Sequence, residues 1–365
     1  MRRFLPGLLL SLLVTVNGCS TPQAPTESSQ TTSTPGAPSA ASSSSPATTP
    51  PPTPDADGPL TVYSGRSQEL IGPLLDRYTT ATGVAVNARY GETAEVAALI
   101  LEEGGNSPAD VFLAQDAGAL GALEEANFLA MLPEELTEVV EPRFRSREGR
   151  WVGLSGRARV IVRNTDRTDP EDAPASVLDL VEPEYRGRVG WAPSNGSFQA
   201  FVTAMRVRLG EEETRAWLTA MIANETRPFE NNVTIVEAVG RGEIDFGLVN
   251  HYYLFRFVAE NPAFPVANSF PEEGDVGSLI NVAGAGVLET SDQPSTAEDL
   301  LGYLLGAEAQ GAFATETNEY PLREGIPGPE GLVPLAEIDT PDIDLSSLAD
   351  LEGTLTLLRE VGALL

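Results

Sequence analysis

Residues 60–103, LTVYSGRSQELIGPLLDRYTTATGVAVNARYGETAEVAALILEE, decide the fold. LTVYSG at 60–65 is short, β-rich and closed by glycine, which predicts a strand. Leu70, Ile71, Leu74, Leu75 and Tyr78 then recur at helical spacing and fall on one stripe. GVAVNARY at 83–90 predicts a second strand, and 94–103 a second helix with Val96, Leu99 and Ile100 inward. ADVFLA at 109–114 is a third strand and 118–126 a third helix. Alternation of this kind implies a parallel sheet with right-handed crossovers. Ligands on such a sheet bind beyond the carboxyl ends of the strands, so the loops at 64–68, 91–93 and 114–116 are where to look for a site.

A second α/β unit runs over about 159–281. It contains the strand GRVGWA (187–192), the loop PSNGS (193–197), a helix over 198–209, and the buried strand DFGLVN (245–250), which ends at His251-Tyr252-Tyr253. LINVAGAGVL (279–288) reads as a strand returning to the first unit, and the acidic, Leu-rich tail after Pro334 as closing helices. No internal repeat is visible. The expected architecture is α/β, two lobes around a hinged cleft: 59–158 plus about 282–333 as lobe 1, and 159–281 plus about 334–365 as lobe 2.

Ahead of these lobes the chain changes character. Arg2 and Arg3 precede an apolar run over 4–16 that is too short for a stable membrane-spanning helix. The run ends in Val16-Asn17-Gly18-Cys19, which resembles the lipobox of bacterial lipoproteins. Residues 1–18 are therefore expected to be a cleaved signal peptide and Cys19 the acylated mature N-terminus, placing the protein on the extracytoplasmic face of the membrane. Residues 19–58, almost all Ser, Thr, Pro, Ala and Gln, have too little apolar surface to offset chain entropy and read as a disordered tether.

Composition excludes much. Against 53 acidic residues stand 23 basic ones, every one an arginine. Without clustered basic residues a nucleic-acid partner is disfavoured. The absence of lysine removes the P-loop lysine and Schiff-base chemistry. One histidine and one cysteine remove multi-His zinc sites and a disulfide scaffold. What remains is oxygen chemistry from Tyr, Asp, Glu, Ser and Asn.

Six segments in order, LTVYSGRSQEL, SPADVFLAQDAGAL, WVGLSGRARVIV, NGSF, EAVGRGEIDFGLVNHYYLF and NEYPLR, resemble the bacterial ferric-iron-binding proteins of ABC importers, which have the type II periplasmic-binding fold. The resemblance covers residue 60 to about 323. It implies a monomeric solute-binding protein that works with an ABC permease and its ATPase and carries Fe(III), with carbonate or phosphate as a synergistic anion. Two consecutive tyrosines supply phenolate ligands in that family, and here they are Tyr252 and Tyr253. Fe(III) is small, hard and highly charged, so it prefers anionic oxygen donors. The anion cradle implied is 194–197, with Asn195, Gly196 and Ser197, helped by Asn231 and Asn250. Backbone N–H groups at a helix start favour negative charge there; an ordinary loop and N-cap is the alternative.

The departures fall in the first lobe. Ser67 and Gln68 stand where relatives place a histidine, Gln115 where they often place a glutamate, and Arg163 where some place a third tyrosine. Glu92 and Gln115 are the remaining first-lobe metal candidates, with Asp116 and Tyr90 behind them; Asp116 also reads as a helix N-cap. His251 is expected to be structural or rim-lining. Arg157 and Arg159 sit where the chain crosses between lobes, either to neutralise the anion or contact phenolate oxygen, with Arg159 the anion-site candidate, or to form interlobe salt bridges. Two other functions compete: the same fold binding an organic or inorganic anion, and a surface hydrolase using paired carboxylates. The hydrolase lacks sugar-stacking aromatics and leaves NHYYLF unexplained. No enzymatic step is expected.

Overall fold

The computed structural model describes residues 58–272 and 274–364; the leader, Cys19 and the tether up to residue 57 lie outside the described residues. The chain opens β1 (Leu60–Ser64), α1 (Gln68–Thr82), β2 (Val86–Tyr90), α2 (Thr93–Glu103), β3 (Val111–Ala114), α3 (Ala117–Glu125), as the alternation predicts. Ile71, Leu74, Leu75 and Tyr78 of α1 and Val96 and Ile100 of α2 are buried against the sheet. Each fully buried side chain of this size contributes roughly 1.5–3 kcal/mol.

A short helix, α4 (Glu134–Thr137), leads to β4 (Val152–Asn164), the strand that organises the molecule. After it come β5 (Val189–Trp191), α5 (Gly196–Leu209), α6 (Glu211–Ala223), β6 (Arg227–Pro228), α7 (Asn232–Gly240), β7 (Phe246–Asn250), α8 (Tyr253–Glu260) and β8 (Val266–Ser269). The chain returns through β9 (Ile280–Val287), α9 (Pro294–Leu304), α10 (Ala307–Glu316) and β10 (Tyr320–Pro321), and closes with α11 (Leu351–Glu360).

The strand order is β2-β1-β3-β9-β4-β7-β5-β6, with β8 and β10 also on β4. The first half of β4, Val152 to Ala158, pairs with β9; the second half, from Arg159, pairs with β7 and β8. One unbroken strand thus serves both α/β units. It is buried at twelve of thirteen positions, so its apolar residues do not alternate with exposed polar ones, and Ser155, Arg157 and Arg159 within it are buried too. Gly153 is required at the bulge, where a Cβ would lie 2.5 Å from the Phe144 carbonyl oxygen.

The expectation of a parallel sheet needs correction. Only β2-β1-β3 and β7-β5-β6 run parallel; β9 is antiparallel to β3 and β4, and β4 to β7. The crossing strands carry the chain directly between lobes, so they pair without the helical crossover that parallel neighbours need.

The tail touches both units. Leu345–Ala349, a 3-10 turn, packs on α3, where Gly121 lets the Ser346 carbonyl approach, while α11 packs on α5 through a 2.7 Å Thr203–Thr354 hydrogen bond.

Candidate functional site

A cleft of about 750 Å³ opens between the two units. On one side are the ends of the β1, β2 and β3 loops, with Glu92, Gln115 and Asp116; on the other are residues 194–197, Tyr252 and Tyr253. Arg157 and Asn281, from the crossing strands, also line it.

The tyrosines are placed by a buried strand that runs out. β7 is buried at all five positions, and the chain turns at His251 and Tyr252 into α8. Leu254 goes to the core, leaving both phenols half-buried in the cleft wall with ring centroids 4.4 Å apart. Burial raises the Tyr253 phenol above its ordinary value, and the Tyr252 hydroxyl beside it adds to this, while Arg157 and Arg159 pull the other way.

Both arginines come from β4 at i and i+2, so they share one face. Arg157 is 4% exposed and donates to the Gln115 carbonyl. Arg159 is 2% exposed and donates to the Leu248 carbonyl at 3.0 Å and to Ser197 Oγ at 3.4 Å, its guanidinium lying over Phe198 and Phe201. Burial lowers the Arg159 pKa to about 9, so the group stays cationic at neutral pH. Neither guanidinium has an acidic partner among the described ion pairs, and the Nε of each is buried without a hydrogen-bond acceptor. Of the two alternatives, the interlobe salt bridge is not formed. The recess between them, bounded by Ser197, Asn250 and Asn281, holds about 10 Å³, the space of a single water, so a larger anion must sit in the cleft itself.

The cradle at 194–197 begins α5. Asn195 is the N-cap, and its Oδ1 accepts from Ser197 N (3.1 Å), Ser197 Oγ (2.6 Å) and Asn232 Nδ2 (2.9 Å). That oxygen and the Ser197 hydroxyl are both spent on holding the loop, which leaves the open backbone at Gly196 as the group facing the cleft. Asn250 ends β7 beside Arg159, its N–H donating to Asn232 Oδ1 at 3.2 Å. Asn231 is a correction: its Oδ1 caps α7 through Thr234 N at 3.1 Å, and it does not line the cleft. The residue at the cradle is its neighbour Asn232, 1% exposed, which joins Asn195, Ser197 and Asn250. The signal was the Asn-Asn pair itself: a capping residue is extended, and the next, at the first helical position, turns the other way.

In the first unit Gln115 fits a cleft role best. Its Oε1 is buried without a hydrogen-bond donor, an acceptor left for a ligand or a water. Glu92 is exposed on the rim at the start of α2. Asp116 caps α3 through Ala119 N at 3.2 Å, as its position before the helix predicts; burial raises its carboxyl pKa, with Arg157 opposing. Tyr90 does not line the cleft, its hydroxyl lying toward Gly72 of α1. Arg163 points away to the Thr168 carbonyl, and Ser67 and Gln68 do not line the cleft. His251 is fully buried with both ring nitrogens bonded, which makes it structural.

Two α/β lobes sharing crossing strands around a cleft of oxygen donors and guanidinium groups define a solute-binding protein of the type II periplasmic-binding fold. The chain belongs to the family of bacterial extracellular solute-binding proteins, whose model matches residues 96–338. The Fe(3+)-binding periplasmic protein of Serratia marcescens is 33% identical over 313 residues, 85% of this chain and 92% of that protein. Iron-bound HitA from Pseudomonas aeruginosa matches with a TM-score of 0.77 at 34% identity, covering 83% of this chain and 99% of that one. Trichodesmium IdiA (FutA), in complex with iron and citrate ligands, matches with a TM-score of 0.75 at 30% identity, covering 84% and 99%.

Proposed function

We propose that this protein captures Fe(III) in the cleft, as its iron-binding relatives do, and delivers it to an ABC permease driven by its ATPase. The observation that carries this reading is the tyrosine pair, two phenols 4.4 Å apart in the cleft wall near the Arg157 and Arg159 guanidinium groups. A free phenol ionises near ~10, and burial raises Tyr253 further. Only a strongly charged cation displaces such protons at neutral pH, and the arginines lower the cost by stabilising phenolate. Gln115 and Glu92 add neutral and anionic oxygen from the opposite lobe. Carbonate or phosphate, held at Gly196 and Ser197 with help from Arg159 and Asn250, completes the shell. The lobes, 59–158 plus about 282–333 and 159–281 plus about 334–365, close about the crossing strands. Cys19 anchors the monomer to the outer face of the membrane, and no covalent step is needed for capture.

Adding Fe(III) is expected to produce a visible phenolate-to-iron charge-transfer band. Tyr252→Phe and Tyr253→Phe each weaken it, and the double variant loses it. A band that survives in the double variant removes both tyrosines from the shell.

The bare Nε atoms of Arg157 and Arg159 favour a second reading, an anion as the cargo itself. Calorimetry with phosphate in iron-free buffer separates the two: tight phosphate binding together with no iron band selects the anion.

A further inference from the structure

His251 is bonded to more of the molecule than a core histidine needs. Its backbone N–H donates to the Ala158 carbonyl at 3.0 Å, and its Nδ1 accepts from the Ala158 N–H, also at 3.0 Å. The imidazole therefore extends the β4–β7 ladder one step past Arg159–Asn250, at the residue between the two arginines. Accepting at Nδ1 fixes the proton on Nε2, and that N–H reaches the Asn318 carbonyl at 2.8 Å. Asn318 lies on the first-lobe side, just before β10, in a left-handed conformation with φ 56°. Its neighbour Glu319 is buried in an ion pair with Arg66. The ring packs 4.8 Å from Tyr320 and edge-on to Tyr252 at 5.5 Å. Asn268 Nδ2 closes the arrangement by donating to the His251 carbonyl at 2.8 Å.

One side chain thus ties the start of the Tyr252–Tyr253 pair to the arginine strand and, through Nε2, to the opposite lobe. We propose that His251 is a positioning residue for iron retention, holding the phenolate pair in register with the first lobe so that the closed cleft stays closed. The inference rests on the iron reading above. It concerns the rate of release rather than the identity of the ligands, since the imidazole, with both nitrogens occupied, has no lone pair for metal.

Two amides dissect the ring. The Asn side chain places its amide near Nδ1, and the Gln side chain places its amide near Nε2. His251→Asn should keep the Ala158 bond and lose the Asn318 bond, and His251→Gln should keep the Asn318 bond. The full chain is loaded with ferric nitrilotriacetate, and iron loss to excess EDTA is followed through the charge-transfer band. At saturation His251→Asn is expected to show the wild-type band but to release iron about fivefold to tenfold faster, the worth of one hydrogen bond. His251→Gln should stay within about twofold of wild type on the same scale. Asn318→Val, β-branched at a left-handed φ of 56°, displaces the acceptor without touching β7 and should also release faster, which keeps the inference testable if His251→Asn does not fold. Wild-type release from both His251→Asn and Asn318→Val overturns the proposal, as does equal acceleration in the Asn and Gln variants. A wild-type protein that shows no band overturns the iron reading first, and this inference with it.

Discussion

Glu319 is 1% exposed and meets Arg66, fully buried, at 2.7 Å; Ser155 Oγ donates to the same oxygen at 2.8 Å. Burial alone would raise its pKa, but the Arg66 and Arg157 charges and the hydrogen bonds outweigh it and hold the carboxyl below its ordinary range. Glu319→Gln leaves Arg66 buried without its counter-charge and is expected to cost about 3 kcal/mol in urea unfolding. The sign of the pH dependence follows. A depressed folded pKa gives stability that is complete above the unfolded value, about 4.3, and lost as pH falls through the folded one. The Gln variant should therefore lose less stability than wild type on acidification; parallel acid limbs would show that Glu319 is not the titrating group. Neither Arg66 nor Glu319 was visible as a pair, because 253 residues separate them and nothing local marks either as buried. Tyr252 and Tyr253 were singled out by the family resemblance; their place after a buried strand accounts only for their position in the cleft wall. Asn232 was missed by one position because cap and first helical residue look alike in sequence.

At the scale of elements, α1 and α2 were located by periodicity, since each buries a face that its own spacing reveals, and β7 by its unbroken apolar run. Strand direction was less legible. β9 read as a strand returning to the first unit, and such a run does not say which neighbour it pairs with or in which direction. The packing of the 345–349 turn on α3 was also hidden. It depends on backbone approaching a glycine: a Cβ at Gly121 would lie 2.2 Å from the Ser346 carbonyl oxygen, and one at Gly118 would lie 2.5 Å from that of Leu348. Gly121→Val should force the turn off the helix and cost about 2 kcal/mol by overpacking. The same push moves Leu348 and Ala349, which line the cleft, so iron release should quicken as stability falls. An unchanged denaturation midpoint would mean that the tail yields without strain and is not part of the core.

At the scale of the whole molecule the cleft is lined from both sides, and cargo that binds the folded chain but not the unfolded one stabilises it. Ligand at a hundredfold over its dissociation constant adds about 2.7 kcal/mol, which for a chain of this size raises Tm by roughly 5 °C. The first lobe brings few anionic donors of its own: Gln115 is neutral, and Asp116 is committed to capping α3. Arg157 and Arg159 beside them form none of the described ion pairs and keep a bare Nε each, although the Arg157 charge also acts on Asp116 and Glu319. An added oxyanion would supply anionic oxygen for the metal and an acceptor for those Nε atoms. The thermal shift with Fe(III) should therefore be largest when carbonate or phosphate is present and shrink when both are removed. Gly196→Pro, which deletes a backbone donor from the cradle, should shrink it in the presence of anion and change little in its absence. Gln115→Ala should reduce it modestly, since an amide oxygen is a weak partner for Fe(III). A full shift in anion-free buffer would mean that protein groups close the shell, and substitution of Glu92 and Asp116 would then identify them.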